Sequence, residues 1–149
     1  VDSYVSHAWD ALSILVKAIR EVGTDGAASN NNLDLWEEMR ICALMHKGNA
    51  LDATVVPAES ALYMATRGGA LALAGMPPFN IFLSVDIDRP CYQPMTNLIH
   101  HIVYAGNSRD VVLTMVEGRI VCENGVVADI DPEELRVRAQ RYYDDVFRL

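Results

Sequence analysis

One run near the start of the chain limits its architecture more than any other: Gly23-Thr24-Asp25-Gly26-Ala27-Ala28-Ser29-Asn30-Asn31-Asn32. Glycine reaches backbone angles that other residues avoid, and Asn and Ser side chains bond back to their own backbone in turns. Such a run extends neither a helix nor a strand. An apolar lead-in stops at Val22, and Leu33 opens a helical pattern. The stretch therefore reads as the end of one element, a carboxylate at its tip, a tight loop, and a helix. Two readings of Asp25 stay open on these residues alone: a solvated acid in a glycine-rich turn, or a carboxylate held out for chemistry.

Periodicity organises the flanks. Over residues 3–21, Val5, Ala8, Trp9, Leu12, Leu15, Val16 and Ile19 recur at three- and four-residue spacing, which predicts an amphipathic helix. Asp2 or Ser3 suits its start, and His7 falls on its polar side. A second helix is expected over 33–47, with Glu37 and Glu38 in its first turns, His46 and Lys47 in its last, and Gly48 as its stop. Pro57 opens a third, over 57–67, that Gly68-Gly69 interrupts; Tyr63 and Met64 read as core fillers.

Beyond Gly75-Met76-Pro77-Pro78 the pattern changes. Residues 79–87 read as a buried strand, and Asp86 and Asp88 as strand-end acids pairing with Arg89. The short apolar piece Leu98 to Tyr104 carries His100-His101, but adjacent residues point in different directions on a helix or a strand, which disfavours a shared ion. Residues 111–117 and 119–123 form two strands joined at Glu117-Gly118, and Asn124-Gly125 makes a second tight turn. Asp131-Pro132-Glu133-Glu134 is a strong helix start, with that last helix running over 132–147.

Composition excludes some partners. A net charge of -8 opposes binding to a nucleic-acid backbone or an anionic membrane surface. The longest apolar runs fall far short of the ~20 residues of a spanning helix. Cys42, Cys91 and Cys122 are odd in number and lack a Cys-x-x-Cys pair, so they read as reduced thiols of a cytoplasmic protein.

The segment GTDGAASNNNLDLWEEMRICALMHKG, Gly23 to Gly48, resembles the metal-dependent amidohydrolases, in the branch of the 5-methylthioadenosine/S-adenosylhomocysteine deaminases and their triazine chlorohydrolase relatives. The similarity continues through Pro57 to Thr66, Ala70 to Leu73, Val85 to Pro90, Ile102 to Ala105 and Val116 to Val121. The resemblance implies a barrel enzyme whose divalent metal, of the zinc type, lowers the pKa of bound water. It also implies an Asp at the end of the last barrel strand that binds the metal and moves a proton from water to the leaving amine. Asp25 matches that catalytic and metal-binding position, with Thr24, Gly26, Ser29 and Asn30 as the surrounding loop. The implied substrate is an aminopurine nucleoside or related amine.

The chain departs from the pattern in three places. An amphipathic helix runs almost to Gly23 where the family has a strand. Gly75 to Pro78 stand where it has a longer hairpin segment, and there is no His-x-His pair anywhere. A complete barrel needs ~250 residues. The expected fold is therefore α/β, a truncated amidohydrolase piece with the last barrel unit, its helices and a small sheet, and not a complete (β/α)8 barrel. It is expected as a single domain over 1–149: a mostly helical, barrel-derived part over 1–74, a small β part over 79–131, and a terminal helix over 132–149. The metal is not expected to bind this chain alone. The functional reading is the C-terminal portion of a hydrolytic deaminase. The alternative is a non-catalytic domain derived from one, working through self-association as a homo-oligomer. A zinc deaminase of the cytidine type is excluded, because its His-x-Glu and Pro-Cys-x-x-Cys signature is missing.

Overall fold

A computed structural model describes residues 23–25, 29–72 and 80–147; the expected helix over 3–21 lies outside them. Helix α1, Leu35–Ala50, starts where Asp34 caps it, accepting from the backbone N–H of Trp36 at 2.9 Å and of Glu37 at 3.2 Å. Leu33 thus precedes the helix. At the other end Gly48 stays helical, and the turn falls on Leu51, which takes a left-handed φ of 51° while its N–H returns to the Lys47 carbonyl. The expected glycine stop was wrong: Leu51 is 93% exposed and crowds nothing as it makes the turn.

Helix α2, Ala58–Tyr63, passes through a π-helical turn, Met64–Gly68, into α3, Gly69–Ala72. The chain therefore passes through Gly68-Gly69 without leaving the helix, the wider turn lying over Met64–Gly68. Tyr63 is exposed and fills no core. Helix α4, Leu98–His100, capped by the Asn97 side chain, runs into a second π-helical turn, His101–Ala105.

These helices make the core. Met39 and Ala43 of α1, Ala58 and Ala61 of α2, and Val103 are buried together, with Trp36, Leu62 and Ile102 packed around them. Three alanines among five central residues let the helix backbones approach closely. Trp36 Nε1 donates to the Ile102 carbonyl at 2.7 Å, and Arg40 donates to the carbonyls of Val103 and Gly106. α1 thus satisfies carbonyls that the end of the 98–105 helix leaves without intrahelical partners.

The sheet is an antiparallel meander in the order β1 (Ile81–Val85), β2 (Val111–Val116), β3 (Arg119–Glu123), β4 (Val126–Val127). Ile81 faces Val116 and Val85 faces Val111, with a bulge after Ser84. The turns Glu117-Gly118 and Asn124-Gly125 have φ of 51° and 80°, and 49° and 80°, the mirror-image turn that matches strand twist. β1 is an edge strand, and Ile81, Phe82 and Leu83 are 57%, 58% and 48% exposed, so the expectation of a buried strand is corrected. Helix α5, Pro132–Phe147, starts at Asp131, whose Oδ1 accepts from the N–H of Glu133 and Glu134. None of its residues is buried.

Candidate functional site

The candidate loop is built on side chains bonding to backbone. Asp25 is exposed and holds a left-handed φ of 58°, which Asp tolerates better than most residues. Thr24 Oγ1 donates to the Asp25 carbonyl at 3.2 Å, and Ser29 Oγ donates to Asp25 Oδ2 at 2.8 Å. Asn30, half-buried, donates through Nδ2 to the Thr24 carbonyl at 2.9 Å and to Glu38 Oε1 at 2.8 Å. Its Oδ1 accepts from the Asn32 N–H at 2.9 Å, and the Asn32 side chain reaches Glu37. The fold brings Thr24, Asp25, Ser29 and Asn30 together; Gly26 lies outside the described residues.

Two partners escaped the sequence reading. Glu38 looked like an ordinary member of the polar face of α1, yet it anchors Asn30. Ser108 Oγ donates to Asp34 Oδ2 at 2.6 Å, tying the start of α1 to the turn before β2. Nothing local announces either, since Ser108 and Asp34 are joined only by the tertiary fold. A cleft of ≈ 500 Å³ opens beside Asn32, Leu33 and Trp36, walled by Leu62, Leu83 and Ile102. Asp25 does not line it, and the Asp34 carboxylate within it is already occupied by the helix cap and Ser108.

Among the described residues, His100 and His101 do not converge on a shared point. His100 lies 3.8 Å from Glu59 and edge-on to Tyr104, while His101 faces the Cys91 carbonyl and the Thr96 hydroxyl, each at 3.3 Å. Arg89 pairs with Asp86 at 3.4 Å, as expected, and also with the buried Asp110 at 3.0 Å. Asp110 accepts from the Tyr92 hydroxyl at 3.0 Å and the Asn107 N–H at 2.8 Å. Burial, and then the bond to Asp110, push the Tyr92 hydroxyl well above the usual tyrosine range.

Helices packed beside a small antiparallel meander, with an exposed carboxylate on the loop before a capped helix, are the features to set against known proteins. The chain belongs to the amidohydrolase family, which it matches over residues 3–78. It is 40% identical over 128 residues to the 5-methylthioadenosine/S-adenosylhomocysteine deaminase of Dictyoglomus thermophilum, covering 80% of this chain and 30% of that protein. The deaminase of the same name from Thermococcus sibiricus is 46% identical over 106 residues, covering 67% of this chain and 25% of its own length. The chain thus spans less than a third of these curated relatives. An adenosine deaminase from Xanthomonas campestris, solved with bound zinc, superposes with a TM-score of 0.79 at 29% identity, covering 87% of this chain and 31% of that one. A zinc complex of an atrazine chlorohydrolase from Arthrobacter aurescens shares the fold, with a TM-score of 0.68 at 22% identity, covering 78% of this chain and 28% of its own.

The family implies a divalent metal, and the donor set can be tested against it. Catalytic zinc typically takes three protein ligands plus water. Among the described residues no three His, Cys, Asp or Glu side chains gather closely enough to share an ion. The described residues alone do not fit a catalytic metal.

Proposed function

We propose that this chain carries the proton-handling carboxylate of an amidohydrolase that deaminates aminopurine nucleosides of the methylthioadenosine/S-adenosylhomocysteine type. Asp25 is that carboxylate and a single metal ligand, and Thr24, Gly26, Ser29 and Asn30 shape its loop. The observation that carries the reading is the restrained, exposed Asp25 within the residues that match the amidohydrolase family, in a chain similar to proteins named as such deaminases. In the reaction, water adds to the ring carbon bearing the amine. Asp25 accepts a proton from that water and delivers it to the departing nitrogen; ammonia leaves, the water's other proton ends on the adjacent ring nitrogen, and a carbonyl replaces the amine. The implied zinc-type ion requires ligands beyond Asp25, supplied from outside the described residues. The thiols of Cys42, Cys91 and Cys122, none in a disulfide, support a reducing, cytoplasmic setting.

The test is a chimera in which residues 23–131 replace the matching stretch of the Dictyoglomus thermophilum deaminase. It should deaminate methylthioadenosine, and Asp25→Ala should lower turnover by about 10²–10⁴-fold, the range for losing a general acid–base. A folded Asp25→Ala chimera of undiminished activity overturns the assignment. The 149-residue chain alone, supplied with zinc, should neither retain it stoichiometrically nor turn over substrate.

A second reading has its own support. Large apolar side chains stand exposed along β1 and α5, including Phe82, Leu135, Tyr142 and Phe147. Soluble monomers rarely leave such patches open. We infer that the chain associates with copies of itself, whether or not it contributes to a catalytic assembly.

A further inference from the structure

Asp25 holds a left-handed φ of 58°, a conformation that costs an L-residue free energy and that bonds from its surroundings can hold in place. Such bonds are present. Thr24 Oγ1 and Ser29 Oγ each hold one end of Asp25, but both belong to the loop itself and move with it. Asn32 reaches Glu37 of α1, while Asn30 ties the peptide before Asp25 to rigid structure in the same helix. The Asn30 amide spends both donors, one on the Thr24 carbonyl at 2.9 Å and one on Glu38 Oε1 at 2.8 Å, and its oxygen takes the Asn32 N–H at 2.9 Å. Glu38 sits in the first turns of α1, whose next residue, Met39, is in the buried core. A path therefore runs from the core through Glu38 and Asn30 to the peptide that precedes Asp25.

We propose that Asn30 is a positioning residue for the Asp25 carboxylate, and that Glu38 is the anchor through which α1 sets it. The proposal rests on the catalytic reading of Asp25 for its meaning, though not for its test. Asn suits the post where its acid counterpart does not. The Thr24 carbonyl and the Glu38 carboxylate both require donors, and the Asn32 N–H requires an acceptor on the same group. An aspartate at position 30 would set a negative oxygen against both acceptors. Glutamine at position 38 keeps the acceptor oxygen and loses only the charge.

The experiment follows the full chain by NMR, reading at Asp25 the backbone couplings and carbon shifts that report the sign of φ, with thermal melting alongside. Asn30→Ala should lose the left-handed signature at Asp25 while resonances of β2 and β3 stay put. Glu38→Ala should shift Asp25 the same way, and Glu38→Gln should restore the wild-type signature. A folded Asn30→Ala chain with Asp25 unchanged overturns the proposal. So does Glu38→Gln behaving like Glu38→Ala. If Asn30→Ala does not fold, the two Glu38 variants decide the matter alone. A purely stabilising Asn30 would lower melting and leave the Asp25 signature where it is. The readout needs neither metal nor turnover, so its failure is distinct from that of the catalytic reading, which falls only to an active Asp25→Ala chimera.

Discussion

Asp110 is 3% exposed, and it remains a tolerable burial because every side of it is served. Arg89 supplies the counter-charge at 3.0 Å, while the Tyr92 hydroxyl and the Asn107 N–H complete the carboxylate's bonds. Tyr92→Phe removes one donor but leaves the others, so it should lower unfolding stability at neutral pH by about 1–2 kcal/mol in a denaturant titration. The same bond gives a pH signature. Folding raises the tyrosine pKa from 10.0, so the fold favours the protonated form. The associated stability is fully present below the unfolded value of 10.0 and is lost as pH climbs towards the raised one. Melting curves should therefore fall more steeply above that pH in the wild type than in Tyr92→Phe; parallel curves would remove Tyr92 from the account.

At the scale of elements, the tightest surroundings of any described glycine lie where the 98–105 helix ends. Gly106 lies against the Tyr92 hydroxyl, and a Cβ there would meet the Ile102 carbonyl and the Trp36 ring, each at 3.0 Å. Gly106→Ala should cost about 1–3 kcal/mol by overpacking, read as a lower denaturation midpoint at unchanged slope. An unshifted midpoint would mean that the three elements part easily. This junction was hidden in the sequence, and so was the 98–105 helix. Leu98 to Tyr104 is too short for a helical period to declare itself, and Trp36 and Arg40 satisfy its end from far along the chain. By contrast α1 was legible from its periodicity, though the capping role of Asp34 was missed and its start was expected at Leu33. Helix α5 was legible from Asp131, whose capping is local chemistry. Both hairpin turns were legible for the same reason. Strand β1 showed its apolar residues plainly, but nothing in them says whether another surface lies above. In the site, the Asp25 loop could be read from Gly, Ser and Asn, whereas Glu38 could not, since its role exists only once α1 is wound.

At the scale of the whole molecule, the described residues leave large apolar side chains open on β1 and α5, among them Ile81, Phe82, Leu135 and Phe147. Patches of that kind mark surfaces that another chain covers. Sedimentation at micromolar concentration should therefore give species above 16.5 kDa. Phe82→Lys, which charges the open edge of β1, should shift them towards the monomer. A wild-type monomer that binds no apolar dye would contradict this.

The Asp110 cluster has a further bearing on how such a chain changes over generations. β1 ends at Val85 and β2 begins opposite it at Val111, and between them the chain leaves the sheet for the helical core and returns. The Asp86 N–H donates to the Asp110 carbonyl at 2.8 Å, and Arg89 grips the Asp110 side chain, so departure and return are stitched together at the base. Because those bonds fix the neck of the excursion, changes in residues 93–105 should fall on the helices before they reach strand register, whereas Gly106 touches the neck through Tyr92. The sheet can stay the same while selection rewrites what lies beyond those bonds.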